Sequence, residues 1–288
     1  MADISTIKLP NGSVYDIRCA GCPRTGYGAT LHNSIFRGSN IGSSISYDQQ
    51  LSMFYGTFDN MYVGDYWDLG NNHNLYLVIL GFNYFFNKGD VSVSGGWGIE
   101  RSHHVVCAVI SSTYSKSASY KMNSSNSTTG GYRTARTNTS SPYLGYALNQ
   151  LYSSVSSGIS HGVADSYYDS YSNAVTSGYP SAGAWYNCNA ELMTEQQVFG
   201  TKIISPVNSG SASVWNYTIS TMQFPYFAYT FDYTFAINGL CGSGNYWLRD
   251  VADASKFCYV DAAGRSNKAN ASNAKNIIPY VLIHGTGE

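Results

Sequence analysis

The C-terminal run of the chain places a polar segment inside an apolar frame. A Trp-centred turn at residues 244–249 is followed by a strand-like segment at 254–261 and by a second one at 276–283. Residues 262–275, between these two segments, consist of Ala, Asn, Ser, Lys, Arg and Gly. A stiff frame around small and polar residues is typical of a scaffold that displays a surface, and not of the lining of a buried catalytic pocket.

The composition favours recognition by neutral polar and aromatic side chains. Only 11% of the 288 residues are charged and the net charge is -1, which argues against nucleic-acid binding and against a polybasic membrane tether. The chain contains 26 Tyr and 29 Gly, together with many Ser and Asn. Tyr supplies a large contact area at low entropy cost, and Ser, Gly and Asn supply adaptable hydrogen bonds. This mixture resembles a recognition surface.

The start of the chain, Met-Ala-Asp-Ile-Ser-Thr, contains neither the basic region nor the apolar region of a signal peptide. The longest apolar run, residues 74–86, is interrupted by Gly81 and Asn83 and is shorter than a membrane span. We therefore expect a protein that folds in a cytoplasm, without membrane insertion, and whose six Cys are reduced thiols.

Three segments are expected along the chain. Residues 1–20 contain the turn signal Pro10-Asn-Gly12 between β-forming residues, which predicts a hairpin that attaches the protein to a larger particle. Residues 21–54 are rich in Gly, Ser and Asn and are interpreted as a linker, and residues 55–288 as the globular domain. The alternative is that the hairpin forms the first edge of the main fold.

The secondary-structure signals are mixed. Strands are expected over 75–86 and 103–111, helices over 141–158, 165–176 and 194–200, and residues 215–237 are rich in β-formers around Pro225. The helix over 141–158 has an apolar face and the one after Thr194 has a capping box. Because no βα unit repeats, the fold class is α+β.

Several blocks of the sequence resemble a family of domains from phages and prophages of gut-type bacteria. The first and last are Phe58-Asp-Asn-Met-Tyr-Val-Gly-Asp-Tyr-Trp67, Tyr246-Trp-Leu-Arg249 and Pro279-Tyr-Val-Leu-Ile283. The others are residues 81–84, 89–90, 103–106, 129–132 and 191–200. The resemblance covers residues 55 to 283 and implies a C-type-lectin-like fold of the formylglycine-generating-enzyme type. The chain departs from the family motif at Asp250-Val251, where Ser-Pro is usual, and at Ile278, where Arg is usual.

The resemblance implies that the C-terminal loops are displayed, as in phage receptor-binding proteins that are diversified by error-prone reverse transcription. The fold frame then consists of Tyr246, Trp247, Arg249 and Pro279. The candidate receptor-binding residues are Asp253, Ser255, Lys256, Tyr259, Arg265, Asn267, Lys268, Asn270, Ser272 and Asn273. The alternative is that residues 253–275 form an ordinary polar loop and strand pair that is not diversified.

The function expected from these features is that of a phage virion protein at the tail tip or fibre. It binds a receptor on the bacterial surface, a glycan or a protein, contacts other virion proteins, and is a homotrimer that gains avidity from repeated sites. A structural or decoration protein of the particle, without receptor binding, is the alternative.

An enzyme is the more remote alternative, because no catalytic motif, phosphate-binding loop or zinc-protease motif is found. We expect no catalytic residue, no bound metal and no cofactor. The carboxylates that a glycosidase pair would use are more typical of turns and caps; they are Asp65, Asp68, Asp90, Glu100 and Asp232. Cys241 and Cys258 lack the pattern of a copper oxidase, and Cys258 is expected to be a small core residue.

Two further patterns bear on metal binding. Cys19-Ala-Gly-Cys22 is half of a typical structural zinc site, which needs four ligands, and no second Cys pair accompanies it. His103 and His104 are adjacent, and on a strand they would face opposite sides.

Overall fold

The computed structural model is a mixed α+β protein built on antiparallel sheets. It describes residues 6–8, 14–16, 24–70, 74–87, 100–117, 120–159, 163–165, 167–172, 175–176, 179–180, 183–205, 222–240 and 244–287. The helices are α1 (Arg24–Asn33), α2 (Tyr47–Tyr55), α3 (Gly131–Thr137), α4 (Leu144–Gly158), α5 (Glu195–Phe199) and α6 (Pro225–Thr230). The strands are β1 (Thr6–Lys8), β2 (Val14–Asp16), β3 (Tyr66–Gly70), β4 (Leu75–Phe82), β5 (His104–Ser111), β6 (Val163–Asp165), β7 (Tyr167–Ser172), β8 (Val175–Thr176), β9 (Tyr179–Pro180), β10 (Gly183–Cys188), β11 (Glu191–Leu192), β12 (Tyr246–Val251), β13 (Lys256–Val260), β14 (Ser266–Asn270) and β15 (Pro279–His284).

The largest sheet within the described ranges has six strands, all in antiparallel pairs. Strands β15, β5, β4 and β3 lie side by side, and the short strands β11 and β6 both pair with β15. Every residue of β5 and of β15 is buried. Their continuous apolar sequences therefore reflect cover on both faces of the sheet, as expected for short apolar runs. The strands predicted over 75–86 and 103–111 are confirmed.

The expected linker over 21–54 is wrong for most of its length. Helix α1 packs against β4, and α2 packs against β5 and β15. Ile45 and Met53 are fully buried in the core. The helix α2 begins with a capping box, in which Ser46 and Gln49 bond each other's backbone N–H groups. The high Gly, Ser and Asn content conceals these few apolar anchors, so the folded core starts well before residue 55.

The helices α4 and α5 form where the sequence predicts them. Helix α4 buries an apolar face that includes Leu144, Leu148 and Leu151, although Tyr143, and not Ser141, occupies the N-cap position. Helix α5 has the predicted capping box between Thr194 and Gln197 and ends at Gly200. Among the residues that the structure describes, no helix is both long enough and apolar enough to cross a membrane.

Two other expectations are corrected. The helix predicted over 165–176 is replaced by strands β6, β7 and β8, because Val and Tyr favour strands and the segment lacks an apolar helical face. Pro225 does not interrupt a strand but is the first residue of α6, where a missing N–H costs nothing. Residues 215–221, the first part of that aromatic segment, lie outside the described residues.

The C-terminal run folds into a three-stranded antiparallel sheet, β12–β13–β14, followed by β15 in the central sheet. The expected turn around Trp247 is strand β12, and the polar segment 262–275 contains strand β14. The N-terminal hairpin is confirmed at the level of its backbone, since β1 pairs with β2. Its attachment role remains a prediction.

Candidate functional site

The C-terminal sheet has a rigid, buried base. Tyr246 and Trp247 are fully buried, and Arg249 and Pro279 are also buried. The indole N–H of Trp247 donates to the carbonyl of Tyr120 at 2.7 Å, and the Tyr246 hydroxyl donates to the carbonyl of Tyr233 at 2.8 Å. Both aromatic side chains therefore have their polar atoms satisfied, which is how large amphipathic rings are kept in a core.

The candidate receptor-binding residues on β13 and β14 are divided between two faces. Side chains alternate along a strand, and the register pairs Lys256 with Asn270 and Tyr259 with Asn267. Lys256, Asn270 and Lys268 consequently share one face, while Tyr259 and Asn267 lie on the other. The structure thus does not gather the ten candidates on one flat surface of the sheet.

The exposed part of this region is its outer edge. Strand β14 pairs with β13, and Asn267 and Lys268 on it are exposed. Arg265, in the turn before β14, has a side chain that is 76% exposed, and Asn273, in the turn after it, is also exposed. These four residues form what we call the β14 edge. Ser255, Asn270 and Ser272 are half-buried, and the Ser272 hydroxyl contacts the Asn126 side chain at 2.5 Å.

Charges near the β14 edge are paired locally. Lys256 and Lys268 both contact the carboxylate of Asp253, at 3.6 and 3.5 Å, and Arg265 contacts Asp261 at 3.0 Å. Burial raises the pKa of Asp253, but hydrogen bonds from Ser255 and the charges of the two lysines lower it by a larger amount. The net pKa is therefore below its usual value. The positive charges of Arg265 and Lys268 on the edge are therefore each balanced by a neighbouring carboxylate.

Tyr259 is covered from one side. The ammonium of Lys275 lies 3.7 Å from the centre of its ring, a cation–π contact. The Trp247 ring meets Tyr259 edge-on, with centroids 6.1 Å apart. This candidate is therefore positioned by its neighbours and is only half-exposed.

Beneath the sheet, the carboxylate of Glu195 is fully buried and surrounded by donors. It accepts from the backbone N–H groups of Ile204 and Ser205 at 2.9 and 2.7 Å and from the Ser205 hydroxyl at 2.5 Å. The Ser266 hydroxyl of β14 also donates to it. One carboxylate thus ties α5, the segment 203–205 and β14 together.

Asp250, a departure from the family motif, joins this cluster. Its side chain accepts the backbone N–H of Glu195, the first residue of α5, at 2.6 Å. Burial, followed by the negative charge of Glu195, raises the pKa of Asp250 to about 6. Cys258 is fully buried beside these groups, and burial, together with the neighbouring carboxylates, raises its thiol pKa. The expectation that Cys258 is a core residue is confirmed, and a protonated thiol is a poor nucleophile.

A cavity of about 380 Å³ lies at one end of the central sheet. Three parts of the chain line it: Phe54 of α2, residues 101–103 before β5, and residues 284–286 at the end of β15. Gln50 of α2 donates to the carbonyl of Thr286 at 2.8 Å, which holds the C-terminal segment against the helix. Gly285 allows this close approach, because a Cβ at that position would clash with the backbone of α2.

A cluster of two imidazoles and a carboxylate lies beside this cavity. Glu100, His104 and His284 each offer one ligand-type atom, and these atoms all lie within 4.8 Å of one another. His104 and His284 are directly paired across β5 and β15. Both histidines are buried, and the Glu100 side chain is only 9% exposed.

The tautomer of His104 follows from its partners. Its Nδ1 lies 2.9 Å from the carbonyl of Ser102, which can only accept, so Nδ1 carries the proton. Its Nε2 accepts the backbone N–H of Phe85 at 3.1 Å. Burial, reinforced by the nearby His284, lowers the pKa of His104 to about 4. His104 is therefore neutral at pH 7.

His284 is less well satisfied. Its Nε2 is buried and has no hydrogen-bond partner among the described residues, although it lies 3.4 Å from an oxygen of Glu100. That distance allows an ion pair but exceeds the 2.7–2.9 Å or so of a charge-assisted hydrogen bond. Burial raises the pKa of Glu100, but the neighbouring His284 and His104 together lower it by a larger amount. The net pKa of Glu100 is therefore below its usual value.

His103 lines the cavity separately from this cluster. Its Nδ1 accepts from the Asn83 amide at 3.0 Å, and its ring stacks on Phe86 with centroids 5.0 Å apart. A Cβ at Gly56 would lie 2.7 Å from the His103 ring, so the C-cap glycine of α2 leaves room for it. Burial lowers the pKa of His103.

The other carboxylates considered from the sequence have structural partners. Asp65 is fully buried and binds Arg37 and the backbone N–H groups of Ser39 and Tyr62. Asp68 and Asp232 accept backbone N–H groups within turns. Asp90, Cys19, Cys22 and Cys241 lie outside the described residues. Of the acidic candidates that the structure describes, only Glu100 lies in a cluster of ligand-type groups.

Sequence reasoning missed His284 and treated His103 and His104 as an adjacent pair. The pairing of His284 with His104 joins residues 180 positions apart in sequence, and no local pattern reports it. The sequence signal that could have identified His284 is its position, as a polar, ligand-type residue at the end of the apolar strand β15.

No family model matches the chain, and no curated protein or solved structure matches it either.

Proposed function

We propose that this chain is a phage virion protein, at the tail tip or fibre, that binds a receptor on the bacterial host surface without catalysing a reaction. The observation that carries the proposal is the contrast within the C-terminal sheet. Tyr246 and Trp247 are fully buried at its base, whereas Arg265, Asn267 and Lys268 are exposed at its edge. A rigid base below an exposed, mixed polar edge suits recognition, because little ordering entropy is lost on binding.

We also propose the C-type-lectin-like fold for this α+β domain. What supports it is that blocks carrying the resemblance fall on β4, β5, β12 and β15, in the central and C-terminal sheets. In the same proposal, residues 1–20 attach the protein to other virion proteins and the protein is a homotrimer. Sedimentation equilibrium of the purified chain tests the trimer directly, and a monomer would contradict that part.

The chemistry of the β14 edge fits a polar receptor. It combines a guanidinium, an ammonium and two amides, which together donate to and accept from hydroxyl, carboxylate or carbonyl groups. The neighbouring Tyr259 supplies an aromatic face of the kind that packs on sugars or on a protein patch. A glycan and a protein receptor both satisfy these groups, so the experiment must distinguish them.

The test is binding of the labelled full-length protein to intact cells of a panel of gut bacteria, measured by flow cytometry. A quadruple variant removes the β14 edge: Arg265→Ala, Asn267→Ala, Lys268→Ala and Asn273→Ala. We expect it to bind at least about tenfold more weakly, as for loss of interface anchors. Periodate treatment of the cells abolishes binding to a glycan receptor, and protease treatment abolishes binding to a protein receptor.

A matched control removes the same number of charges and amides from exposed positions elsewhere: Lys116→Ala, Arg133→Ala, Asn149→Ala and Gln150→Ala. This variant should bind like the wild type. The proposal is contradicted if the β14-edge variant binds as well as the wild type, or if the wild type binds none of the strains.

A further inference from the structure

The cluster of Glu100, His104 and His284 has the composition of a metal site, and nothing in the receptor-binding proposal uses it. Two imidazole nitrogens and one carboxylate oxygen converge within 4.8 Å. The two histidines are held by a direct cross-strand pair at the ends of β5 and β15, two fully buried strands. Glu100 comes from the segment immediately before β5. Two of the three side chains are therefore held on rigid elements.

The Nε2 nitrogen of His284 is the most informative atom. His284 is 8% exposed, and its buried Nε2 has no hydrogen bond to any described residue, only the 3.4 Å contact with Glu100. Buried polar atoms are usually bonded, and an orphan often indicates an ion or a water. Other orphan atoms among the described residues are Glu191 Oε2 and Gln197 Nε2. The Glu191 carboxylate is paired with Arg136, and the Gln197 side chain belongs to the capping box of α5. Of these three residues, His284 is the one that lies in a cluster of ligand-type groups, with Glu100 and His104.

The spacing matches coordination better than direct hydrogen bonding. Two ligands bound at about 2.0–2.1 Å in a tetrahedral zinc site lie roughly 3.3–3.4 Å from each other. His284 Nε2 and Glu100 Oε2 are 3.4 Å apart. A single ion between them would satisfy the nitrogen and the carboxylate at once.

His104 has the tautomer that a metal ligand needs. Its Nδ1–H donates to the Ser102 carbonyl, which leaves the lone pair on Nε2. Histidine ligands commonly donate their second ring N–H to a carbonyl in this way. In the structure Nε2 accepts the Phe85 N–H at 3.1 Å. Coordination would exchange this one neutral hydrogen bond for a metal–nitrogen bond.

We propose that Glu100, His104 and His284 bind a divalent ion of the zinc class, with one further coordination position open to the adjacent cavity. Nitrogen and carboxylate ligands suit zinc and neighbouring transition metals, whereas calcium and magnesium take oxygen ligands. The 380 Å³ cavity reaches His284 and residues 101–103, and so provides an entry path. Arg101, Ser102 and Thr286 line it and can orient a water or an anionic oxygen in the open position.

The experiment is a zinc titration of the purified full-length protein in competition with a chromophoric chelator. The chain is first stripped of metal and carries Cys19→Ser and Cys22→Ser, so that these thiols do not contribute. One zinc ion should bind per chain. Glu100→Gln and His284→Gln should each weaken binding by about 100-fold or more, beyond the 10–100-fold typical of a lost outer-shell partner.

The matched control is His103→Gln, which alters a neighbouring histidine of the same cavity and should bind zinc like the wild type. Cobalt(II) provides a second readout that needs no destabilising variant, because a nitrogen- and oxygen-ligated site of low coordination number absorbs visible light strongly. Glu100→Gln should lose this absorption. The proposal is overturned if the protein carrying only Cys19→Ser and Cys22→Ser binds no zinc, or if the Glu100→Gln and His284→Gln variants made in it bind zinc undiminished. Either result would leave a simple Glu–His ion pair.

Discussion

Two buried carboxylates of this protein, Glu195 and Glu100, differ in how fully their neighbours satisfy them. Glu195 accepts hydrogen bonds from three backbone N–H groups and two hydroxyls, one of which comes from β14. Glu100 accepts the backbone N–H of Ser102 and lies 3.4 Å from His284 Nε2, which makes no hydrogen bond to a described residue. Both sites are polar, but of the two only the Glu100 site has polar atoms that could still form a hydrogen bond or bind an ion.

This difference separates a structural network from a candidate binding site. A saturated buried network holds chain segments together, and no atom in it remains to bind a ligand. An unsaturated one carries a desolvation cost that an ion or ligand can remove. A related contrast holds at the surface, where the frame residues Tyr246 and Trp247 are buried and hydrogen-bonded, whereas Asn267, Lys268 and Asn273 of the β14 edge are exposed to solvent.

The largest expected effect is on stability and comes from Glu195→Ala. It leaves several buried donors without an acceptor, so we expect the free energy of unfolding to fall by about 3–5 kcal/mol. Urea denaturation measures this. Glu100→Ala, the matched change at the other carboxylate, should cost under about 2 kcal/mol in metal-free protein, because fewer donors lose an acceptor. Equal losses of unfolding free energy at Glu195 and Glu100 would contradict the difference drawn between the two carboxylates.

Zinc should stabilise the folded protein through the cluster of Glu100, His104 and His284, and not through the network around Glu195. At a free zinc concentration 100-fold above the dissociation constant, the wild type should gain about 2.7 kcal/mol in free energy of unfolding. His284→Gln should gain almost nothing, because a ligand is missing. His103→Gln should gain as much as the wild type. Urea denaturation with and without zinc measures the gain, and an equal gain in His284→Gln would contradict the assignment.

The pH dependence tests the Glu195 cluster. The pKa of Asp250 is raised from 3.8 to about 6 in the folded protein. The folded state therefore binds the proton more tightly, and this contribution to stability is present below pH 4 and is lost as the pH rises through 6. Asp250→Asn should remove the loss and raise the free energy of unfolding at pH 7, relative to the wild type, by up to about 3 kcal/mol. Parallel pH profiles of the two proteins would refute this.

The smallest effect on stability is expected at the β14 edge. Asn267→Ala and Lys268→Ala should each change the free energy of unfolding by less than about 0.5 kcal/mol, because exposed residues and exposed ion pairs contribute little. The Lys268 side chain is 46% exposed where it meets Asp253. Thermal and urea denaturation check this. A loss above about 1.5 kcal/mol would place these residues in the frame instead of on the displayed edge.

Local signals in the sequence were reliable where neighbouring residues determine the structure. The capping box after Thr194 and the apolar face of α4 both depend on contacts within a few positions, and both are present. The same kind of signal at Ser46 and Gln49 was overlooked because the surrounding composition suggested a linker. The strand replacing the helix expected over 165–176 shows the limit of weak periodicity.

The α+β class, the buried strands β4 and β5, and the division of the C-terminal run into an apolar frame and a polar segment could be read from the amino-acid sequence. Those properties follow from local propensity and burial, which each short stretch expresses alone. The folded chain was needed to establish that β14 is the exposed edge strand, that Lys256 pairs with Asn270 and Tyr259 with Asn267, and that His284 meets His104 and Glu100. Strand order and register set these relations, and both are properties of segments that pair across the whole chain.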